Sequence, residues 1–377
     1  MVETILKLDN ISKSFGKFEV LKNINLEIPP GEIFGIIGPS GSGKTTFLNV
    51  TAGFVPPTKG NALFRLPHLL EYESGKGEVN KFRSVIKFHD EIKNIIGFAS
   101  QEPSFYGQLT LIENLDLFGS LYGLSADARE TNSLILLKLM GLYEYRKNLA
   151  KNLSGGMQKR LDIACALIHD PKVLVLDEPT ADLDPHLRHQ MWSLIKKINS
   201  KGTTIILSSH FLDELEDMCD RVGILYNHQL THVGSPAELK QLISCDDQIH
   251  IQTLKGDYNE LTTEFSPHEK YHITHIEDMG TELEIHTKHA HGVIEHMLKV
   301  LDQQRDVLVS LQINRPTLNQ VFENLIIQNE NHKHKSRKKK DISQADAKAQ
   351  EKFKEEQAQQ DGVDHLKHKE GKEEHKQ

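Results

Sequence analysis

Cysteine is scarce in this chain of 377 residues, which contains only Cys165, Cys219 and Cys245. Three is an odd number, and these residues are too scattered along the chain to form a disulfide framework. The scarcity excludes the class of small secreted proteins that disulfides hold together, and it indicates a reducing compartment.

Long apolar runs are also missing from the sequence. No uninterrupted apolar segment approaches the roughly 20 residues that a membrane-spanning helix needs. The chain opens on Met1-Val2-Glu3-Thr4, without the basic and then apolar pattern of a secretory leader. We expect a soluble intracellular protein whose contact with a membrane comes through a partner.

Positive charge is lacking overall, since the formal net charge is -8. Nucleic-acid affinity needs a basic face, so this balance argues against a specific nucleic-acid partner. The charge is uneven, because residues 333–340 are almost continuously basic. From residue 330 onward aromatic and branched apolar residues nearly vanish, so burial cannot offset the entropy of ordering the chain. We predict a disordered charged tail over 330–377.

Residues 1–243 alternate strand-like and helix-like segments, which predicts an α/β fold with a nucleotide-binding layer. The clearest strands are short apolar runs typical of buried parallel strands: 33–38, 172–177 and 203–208. Longer helical periodicity at 110–150 predicts a helical insert, which we place at about 102–165.

Residues 246–328 have the pattern of a separate small domain. The predicted elements follow the order β-α-β-β-α-β: 248–252, 257–265, 271–277, 282–286, 290–303 and 306–313. This order predicts a ferredoxin-like α+β accessory domain at the C-terminal side of the first part.

A glycine-rich loop follows the first buried strand, and its residues are Gly38, Pro39, Ser40, Gly41, Ser42, Gly43, Lys44, Thr45 and Thr46. Glycines let backbone N–H groups turn around an oxyanion, and the next helix adds the positive end of its dipole. Lys44 would supply a cation to the β- and γ-phosphates, and Thr45 a hydroxyl to Mg²⁺. The alternative is an ordinary glycine turn. The full pattern between a strand and a helix favours binding of a nucleoside triphosphate.

Two adjacent acids, Asp177 and Glu178, end a second apolar strand. Ligands of open α/β folds bind at the carboxyl ends of the strands, where both acids are expected. Adjacent carboxylates repel each other unless a metal or a proton offsets their charge. We predict that Asp177 holds Mg²⁺, mostly through water, and that Glu178 orients or deprotonates the attacking water. The alternative is a pair of acids that merely ends a strand.

A third segment begins a predicted helix, with Ser154 as its N-cap and Gly155 and Gly156 after it. It offers a second site for an oxyanion. In this stretch, Leu-Ser-Gly-Gly-Met-Gln, the chain closely resembles the ATPase subunits of ABC transporters. Further marks of that family occur in order along the chain: Phe15, Gln101, Ala181-Asp182-Leu183-Asp184 and His210.

The resemblance implies a role for each of these marks. Phe15 would stack on the adenine, and Gln101 would be the lid glutamine that contacts Mg²⁺ and the attacking water. Asp184 would lie at the nucleotide, and His210 would be the switch histidine that reaches the γ-phosphate. Simpler alternatives are a core aromatic for Phe15, a solvated side chain for Gln101 and a packing or surface histidine for His210.

The resemblance also implies a mechanism with ATP and Mg²⁺ as cofactors. Two ATPase subunits, identical or paired, face each other head to tail. Each ATP then lies between Lys44 of one subunit and Ser154, Gly155 and Gly156 of the other. ATP joins the two half-sites, and its hydrolysis lets them separate. The chain would lie on the cytoplasmic face of the cell membrane, with a membrane permease docked near residues 101–118.

Two stretches resemble the subunits that serve export-type permeases for drugs and lipids: residues 101–115 and the Pro-Thr-Leu-Asn-Gln-Val-Phe motif at 316–322. Residues 61–94 depart from the family, because this segment is longer than usual and rich in charge. One alternative function is a soluble ABC ATPase that remodels a nucleic-acid or ribosomal assembly. Another is an importer subunit, which would lack the small C-terminal domain.

Overall fold

The computed structural model describes residues 3–65, 82–242, 246–265 and 271–314, and in addition Thr317, Asn319 and Phe322. Residues Met1–Val321 belong to one unit, and Phe322–Gln377 to another, of which only Phe322 is described. The predicted tail at 330–377 lies outside the described residues, so its disorder stays a prediction. In the described part, no helix combines the length and the apolar character that crossing a membrane requires.

Ten strands occur among the described residues up to 242. They are β1 (Leu6–Phe15), β2 (Phe18–Ile28), β3 (Ile33–Ile37), β4 (Lys59–Arg65), β5 (Phe82–Ser84), β6 (Ile96–Ala99), β7 (Val173–Asp177), β8 (Thr204–Ser208), β9 (Arg221–Tyr226) and β10 (Gln229–Gly234).

The same part contains eight α-helices. They are α1 (Lys44–Ala52), α2 (His89–Ile92), α3 (Leu111–Leu121), α4 (Ala126–Leu139), α5 (Gly155–Leu167), α6 (Pro185–Asn199), α7 (Leu212–Met218) and α8 (Pro236–Leu242). Short 3₁₀ turns cover Lys93–Ile95, Tyr143–Tyr145 and Ala150–Asn152.

A six-stranded sheet with the order β10-β9-β3-β8-β7-β6 forms the centre. Its neighbours are parallel except for the β9–β10 pair. Every residue of β3, β7 and β8 is buried, as the three predicted apolar strands require. Because parallel strands end at the same edge, the loops after β3, β7 and β8 meet there. This edge carries the phosphate loop, the acid pair and His210.

A second, antiparallel sheet has the order β2-β1-β4-β5 and shares a hydrophobic core with β3 and α1. The long segment predicted at 61–94 contributes β4 and β5, which pair with each other, and then α2. Its middle, residues 66–81, lies outside the described residues.

The predicted helical insert consists of α3, α4 and α5. Thr110 begins α3 with a capping box, in which its hydroxyl accepts from the Glu113 N–H and the Glu113 carboxylate accepts from the Thr110 N–H. Ser125 caps α4 in the simpler way, by accepting from the backbone of Ala128. These caps satisfy backbone donors at the helix starts and fix the residues at which α3 and α4 begin.

The remaining described residues follow the order β-α-β-β-α-β: β11 (Asp247–Thr253), α9 (Asn259–Phe265), β12 (Ile273–Asp278), β13 (Leu283–Thr287), α10 (Ala290–Gln304) and β14 (Leu308–Asn314). Their antiparallel sheet has the order β12-β13-β11-β14, and one face packs against both helices. The division at 243 and 246 and the ferredoxin-like assignment stay predictions.

Candidate functional site

The phosphate loop lies between β3 and α1, and two of its positions admit only glycine. A Cβ atom on Gly38 would lie 2.4 Å from the backbone oxygen of Leu225 and 2.5 Å from Ser42 Oγ. Gly43, the N-cap of α1, has a φ of 106°, a backbone conformation that side chains disfavour. The loop therefore turns closely at both ends, as a cradle of backbone N–H groups requires.

Lys44 folds back over this loop. Its Nζ donates to the carbonyl oxygen of Gly38 at 2.9 Å, and the side chain is only 10% exposed. The same ammonium lies 4.0 Å from Glu178 Oε1. On the first turn of α1, Thr45 is exposed and Thr46 is half-buried. A cation thus stands between the loop and the acid pair.

Ser42 gives an independent indication of a ligand. Its hydroxyl is buried, and no hydrogen-bond partner for it exists among the described residues. Buried polar groups are normally paired, so an orphan hydroxyl in a glycine-rich loop fits a phosphate oxygen. Pro39, Ser40 and Gly41 complete the rim, where Ser40 and Gly41 are exposed.

Asp177 and Glu178 are joined through the hydroxyl of Ser208, the last residue of β8. Ser208 Oγ donates to Asp177 Oδ1 at 2.6 Å and accepts from the Glu178 N–H at 3.0 Å. Asp177 is buried at the end of β7, and Glu178 follows it with a φ of 52°. One hydroxyl thereby locks the ends of two parallel strands and both acids together.

His210 contacts Glu178 directly. Its Nδ1 pairs with Glu178 Oε2, while the imidazole remains 49% exposed. The Glu178 carboxylate therefore stands between the His210 ring and the Lys44 ammonium. We call these three residues the edge cluster. The structure brings together these three groups, which the sequence analysis identifies separately.

The segment 154–156 lies at the start of α5. Ser154 is the N-cap, as predicted, but its side chain makes no capping hydrogen bond. A Cβ atom on Gly155 would meet open space. Among the described residues, no hydrogen bond or ion pair joins this segment to the edge cluster. The exposed serine and glycine are thus presented outward.

The lid loop, residues 100–104, follows β6 and carries Gln101. Gln101 is exposed, and its backbone carbonyl accepts a hydrogen bond from Lys159 Nζ. In the described part of the chain, no hydrogen bond joins its side chain to Asp177 or Thr45. The shared role of Gln101, Asp177 and Thr45 as ligands of Mg²⁺ stays a prediction.

The side chains at this edge of the central sheet suit a cation that a bound phosphate also helps to hold. No group of three or more His, Cys, Asp or Glu side chains in the described residues is arranged to hold a metal. Mg²⁺ is usually bound by one or two carboxylates together with substrate phosphates and water. The buried carboxylate of Asp177 and the exposed hydroxyl of Thr45 fit that pattern.

Asp184 has a structural task in addition to its predicted one. It is the N-cap of α6, and its Oδ1 accepts from the Leu187 N–H at 2.9 Å. Its predicted contact with nucleotide stays a prediction.

We expect Asp184→Ala to lower the free energy of unfolding by about 1 kcal/mol, because the N-cap is lost. Asp184→Asn keeps an acceptor oxygen and should stay near wild type. Urea unfolding midpoints of the three proteins measure the difference. A drop in ATP affinity of both variants at unchanged stability would contradict a purely capping role.

Phe15 ends β1 and is 52% exposed, so it is not the core aromatic of the simpler interpretation. The Lys13 ammonium lies 4.8 Å from the centroid of its ring. The ammonium covers part of the ring, and the aromatic surface that stays exposed suits stacking with a flat base. The adenine contact stays a prediction.

Glu214 is a further residue near the site, and no motif in the sequence indicates it. This half-buried acid on α7 accepts from Thr180 Oγ1 at 3.2 Å, from Trp192 Nε1 at 2.7 Å and from Arg188 Nη1 at 3.2 Å. The Arg188 guanidinium also lies 4.2 Å from the centroid of Phe211, the neighbour of His210. Glu214 thereby connects the chain after Glu178 with the chain after His210. No local pattern in the sequence indicates these contacts.

Known proteins resemble this chain in sequence. The family profile described as ABC transporter matches residues 21–181. The linearmycin resistance ATP-binding protein LnrL of Bacillus subtilis is 30% identical over 321 residues, which cover 85% of this chain and 98% of that protein. The Nod factor export ATP-binding protein I of Sinorhizobium fredii is 34% identical over 267 residues, which cover 71% of this chain and 72% of that protein.

A solved structure resembles the chain in fold. It is the dimeric post-hydrolysis state of an ATP-binding cassette bound to ADP and Pi, with 28% sequence identity and a TM-score of 0.52. The match covers 61% of this chain and 98% of that one. The similarity is therefore to a whole cassette.

Proposed function

Because this chain belongs to the family of ABC transporter ATP-binding proteins, we propose that it powers export through a separate membrane permease. The predicted family and the α/β ATPase fold are confirmed, and the chain is the ATP-binding and ATP-hydrolysing subunit of a transporter. The matched family leaves the alternative of a soluble remodelling ATPase without support. The observation that carries the proposal is the edge cluster, in which Lys44, Glu178 and His210 meet.

The direction of transport rests on two observations. One relative is named for Nod factor export and another for resistance to linearmycin. Export of a toxic compound is one way to give resistance to it. Since the LnrL match covers 85% of this chain, it extends past residue 243 into the C-terminal part. The C-terminal part therefore argues against an importer subunit of the kind that lacks it.

Each residue of the site has a task in this proposal. Lys44 and the loop N–H groups hold the β- and γ-phosphates, with the orphan hydroxyl of Ser42 at a phosphate oxygen. Bound Mg²⁺ would neutralise charge that develops on the phosphates, and Asp177 and Thr45 are the residues that would hold it. Glu178 takes up the proton of the attacking water, and His210 holds the Glu178 carboxylate in place.

A second ATPase subunit completes the site. Ser154 and Gly155 are presented outward and make no hydrogen bond to the edge cluster of their own chain. A helix start with exposed N–H groups suits the γ-phosphate held by a partner. The matched cassette bound to ADP and Pi is dimeric. We therefore assign residues 154–156 to the ATP bound on the partner subunit, and a homodimer is the simplest arrangement.

The permease would dock near residues 101–118, where the structure presents an aromatic side chain to solvent. Tyr106 is 57% exposed. Its backbone is held by Asn114, a buried residue of α3, which accepts from the Tyr106 N–H at 2.7 Å and donates to its carbonyl at 3.0 Å. A rigidly held, exposed aromatic is a typical anchor of a protein interface.

We expect Tyr106→Glu to release the chain from its permease, because the charge would have to be buried in an apolar contact. The test is affinity purification of the tagged chain from detergent-solubilised membranes, with identification of the integral membrane protein that comes with it. Tyr145→Glu, an exposed tyrosine outside the docking region, is the matched control. ATPase activity of the isolated variant should stay at the wild-type value. Stimulation of the wild-type chain by ribosomes or DNA, with no membrane partner, would contradict the proposal.

A further inference from the structure

The lid loop is fastened to α5 at both of its ends. At its start, Lys159 Nζ donates to the carbonyl of Gln101, and Ser100 O lies 3.4 Å from the same nitrogen. At its end, Asp162 accepts from Ser104. Lys159 and Asp162 are three residues apart, so they lie on one face of the helix. Two side chains of α5 therefore bind the two ends of the five-residue lid loop that includes Gln101.

The Asp162 contact is the stronger of the two anchors. Its Oδ1 accepts from the Ser104 N–H at 2.8 Å and from the Ser104 hydroxyl at 2.6 Å. The residue is 1% exposed, and its Oδ2 has no partner among the described residues. Burial raises the pKa of Asp162, and the two bonds from Ser104 oppose that rise. A buried acid with an orphan oxygen is a poor source of stability, which argues for a positional task.

Lys159 is half-buried. Burial lowers the pKa of its ammonium, and the negative charge of Asp162 acts against that effect. An ammonium with three donors can bind two carbonyls of a loop at once. The lid backbone on both sides of Gln101 is thus bound to α5.

The first residues of α5 connect the lid loop with residues 154–156. The helix begins at Gly155, directly after Ser154, and runs without interruption to Leu167. A helix of this length moves as a rigid body over its first two turns. Residues 154–156, which face the partner's ATP in the proposed function, are therefore rigidly connected to Gln101, which serves the chain's own ATP.

We propose that Lys159 and Asp162 are positioning residues that couple the two ATP sites of the dimer through Gln101. Docking of residues 154–156 on the partner's ATP sets the position of α5. Through the two anchors, α5 sets the position of Gln101 over its own ATP. This inference rests on the proposed function, because it uses the assignment of residues 154–156 to the partner's nucleotide.

The test is a double-mutant cycle on the full chain, with steady-state ATPase activity as the readout. We expect Asp162→Ala to lower kcat about tenfold, since small displacements of a positioning group have effects of this size. The affinity for a fluorescent ATP analogue should change less than about twofold, because Lys44 and the phosphate loop are untouched. In a chain that already carries Gln101→Ala, Asp162→Ala should lower kcat by less than about twofold.

Two further variants separate positioning from loss of folding. Asp162→Asn keeps an oxygen that can accept from Ser104, so its kcat should lie within about threefold of wild type. Ser104→Ala removes the hydrogen bond from the Ser104 hydroxyl to Asp162 and keeps the one from the Ser104 N–H. It should lower kcat about threefold. If Asp162→Ala does not fold, Ser104→Ala with and without Gln101→Ala completes the same cycle.

Three results would overturn the inference. They are equal losses of kcat with and without Gln101, an asparagine variant as impaired as the alanine variant, and a wild-type kcat for Ser104→Ala. Failure of the proposed function has a different signature, because the wild-type chain itself would then neither dimerise with ATP nor co-purify with an integral membrane protein. If the wild-type chain does both, any of these three results contradicts only the inference.

Discussion

Glu178→Gln will bind ATP as the wild type does and will hydrolyse it at least ~100-fold more slowly, as expected for loss of a general base. An amide keeps the size of the carboxylate and its ability to accept a hydrogen bond, so the contact with His210 can persist. The amide cannot take up a proton from water. The phosphate loop does not depend on this residue, and the affinity for ATP should remain.

Single-turnover hydrolysis by the purified variant measures this loss, and size-exclusion chromatography with ATP and Mg²⁺ shows the subunit state. We expect the variant to accumulate as an ATP-bound dimer, since the step that separates the subunits is blocked. Glu144→Gln, an exposed acid in the 3₁₀ turn after α4, is the matched control. Turnover near that of the wild type would remove Glu178 from the chemistry.

Lys44→Ala should weaken ATP binding by at least about 100-fold. Hydrogen bonds to charged groups contribute about 1.5–3 kcal/mol each, and Lys44 is expected to reach two phosphates. Each 1.4 kcal/mol corresponds to about a factor of ten in affinity. In the structure the ammonium already lies against the loop, 2.9 Å from the Gly38 carbonyl, so little ordering is needed when a phosphate binds.

Isothermal titration with ATP and Mg²⁺ measures this change in affinity. Lys22→Ala is the control, because Lys22 is an exposed residue of β2. The same titration with Glu178→Gln measures the affinity for ATP in a protein that is expected to hydrolyse ATP slowly. Unchanged affinity in Lys44→Ala would show that the loop backbone alone holds the phosphates.

The sequence predicts the sheet well because buried parallel strands have a simple pattern. The apolar runs at 33–38, 172–177 and 203–208 correspond to β3, β7 and β8 within one residue at each end. Once these strands are parallel neighbours, their following loops must meet at one edge. The contact between Lys44, Glu178 and His210 therefore follows from the topology of the sheet. The order of the motifs along the chain already indicates that topology.

Contacts that depend on packing could not be predicted in this way. No local pattern indicates that Ser208 joins Asp177 to Glu178, or that Glu214 receives donors from two other elements. The anchors on α5 likewise join residues 58 positions apart in the chain, Ser104 and Asp162. Such pairs arise from how elements pack, while propensity and periodicity describe one element at a time.

The backbone conformation of Glu178 is unusual for a glutamate. Nine non-glycine residues have a positive φ in the described part of the chain, and seven of them are Asn, Asp or His, which tolerate that conformation well. Glu178 and Arg305 are the other two, and Arg305 merely ends α10. A left-handed glutamate carries a conformational strain of roughly 1–3 kcal/mol. Asparagine or glycine would adopt this conformation with less strain, so the chain carries a carboxylate here at a cost in stability.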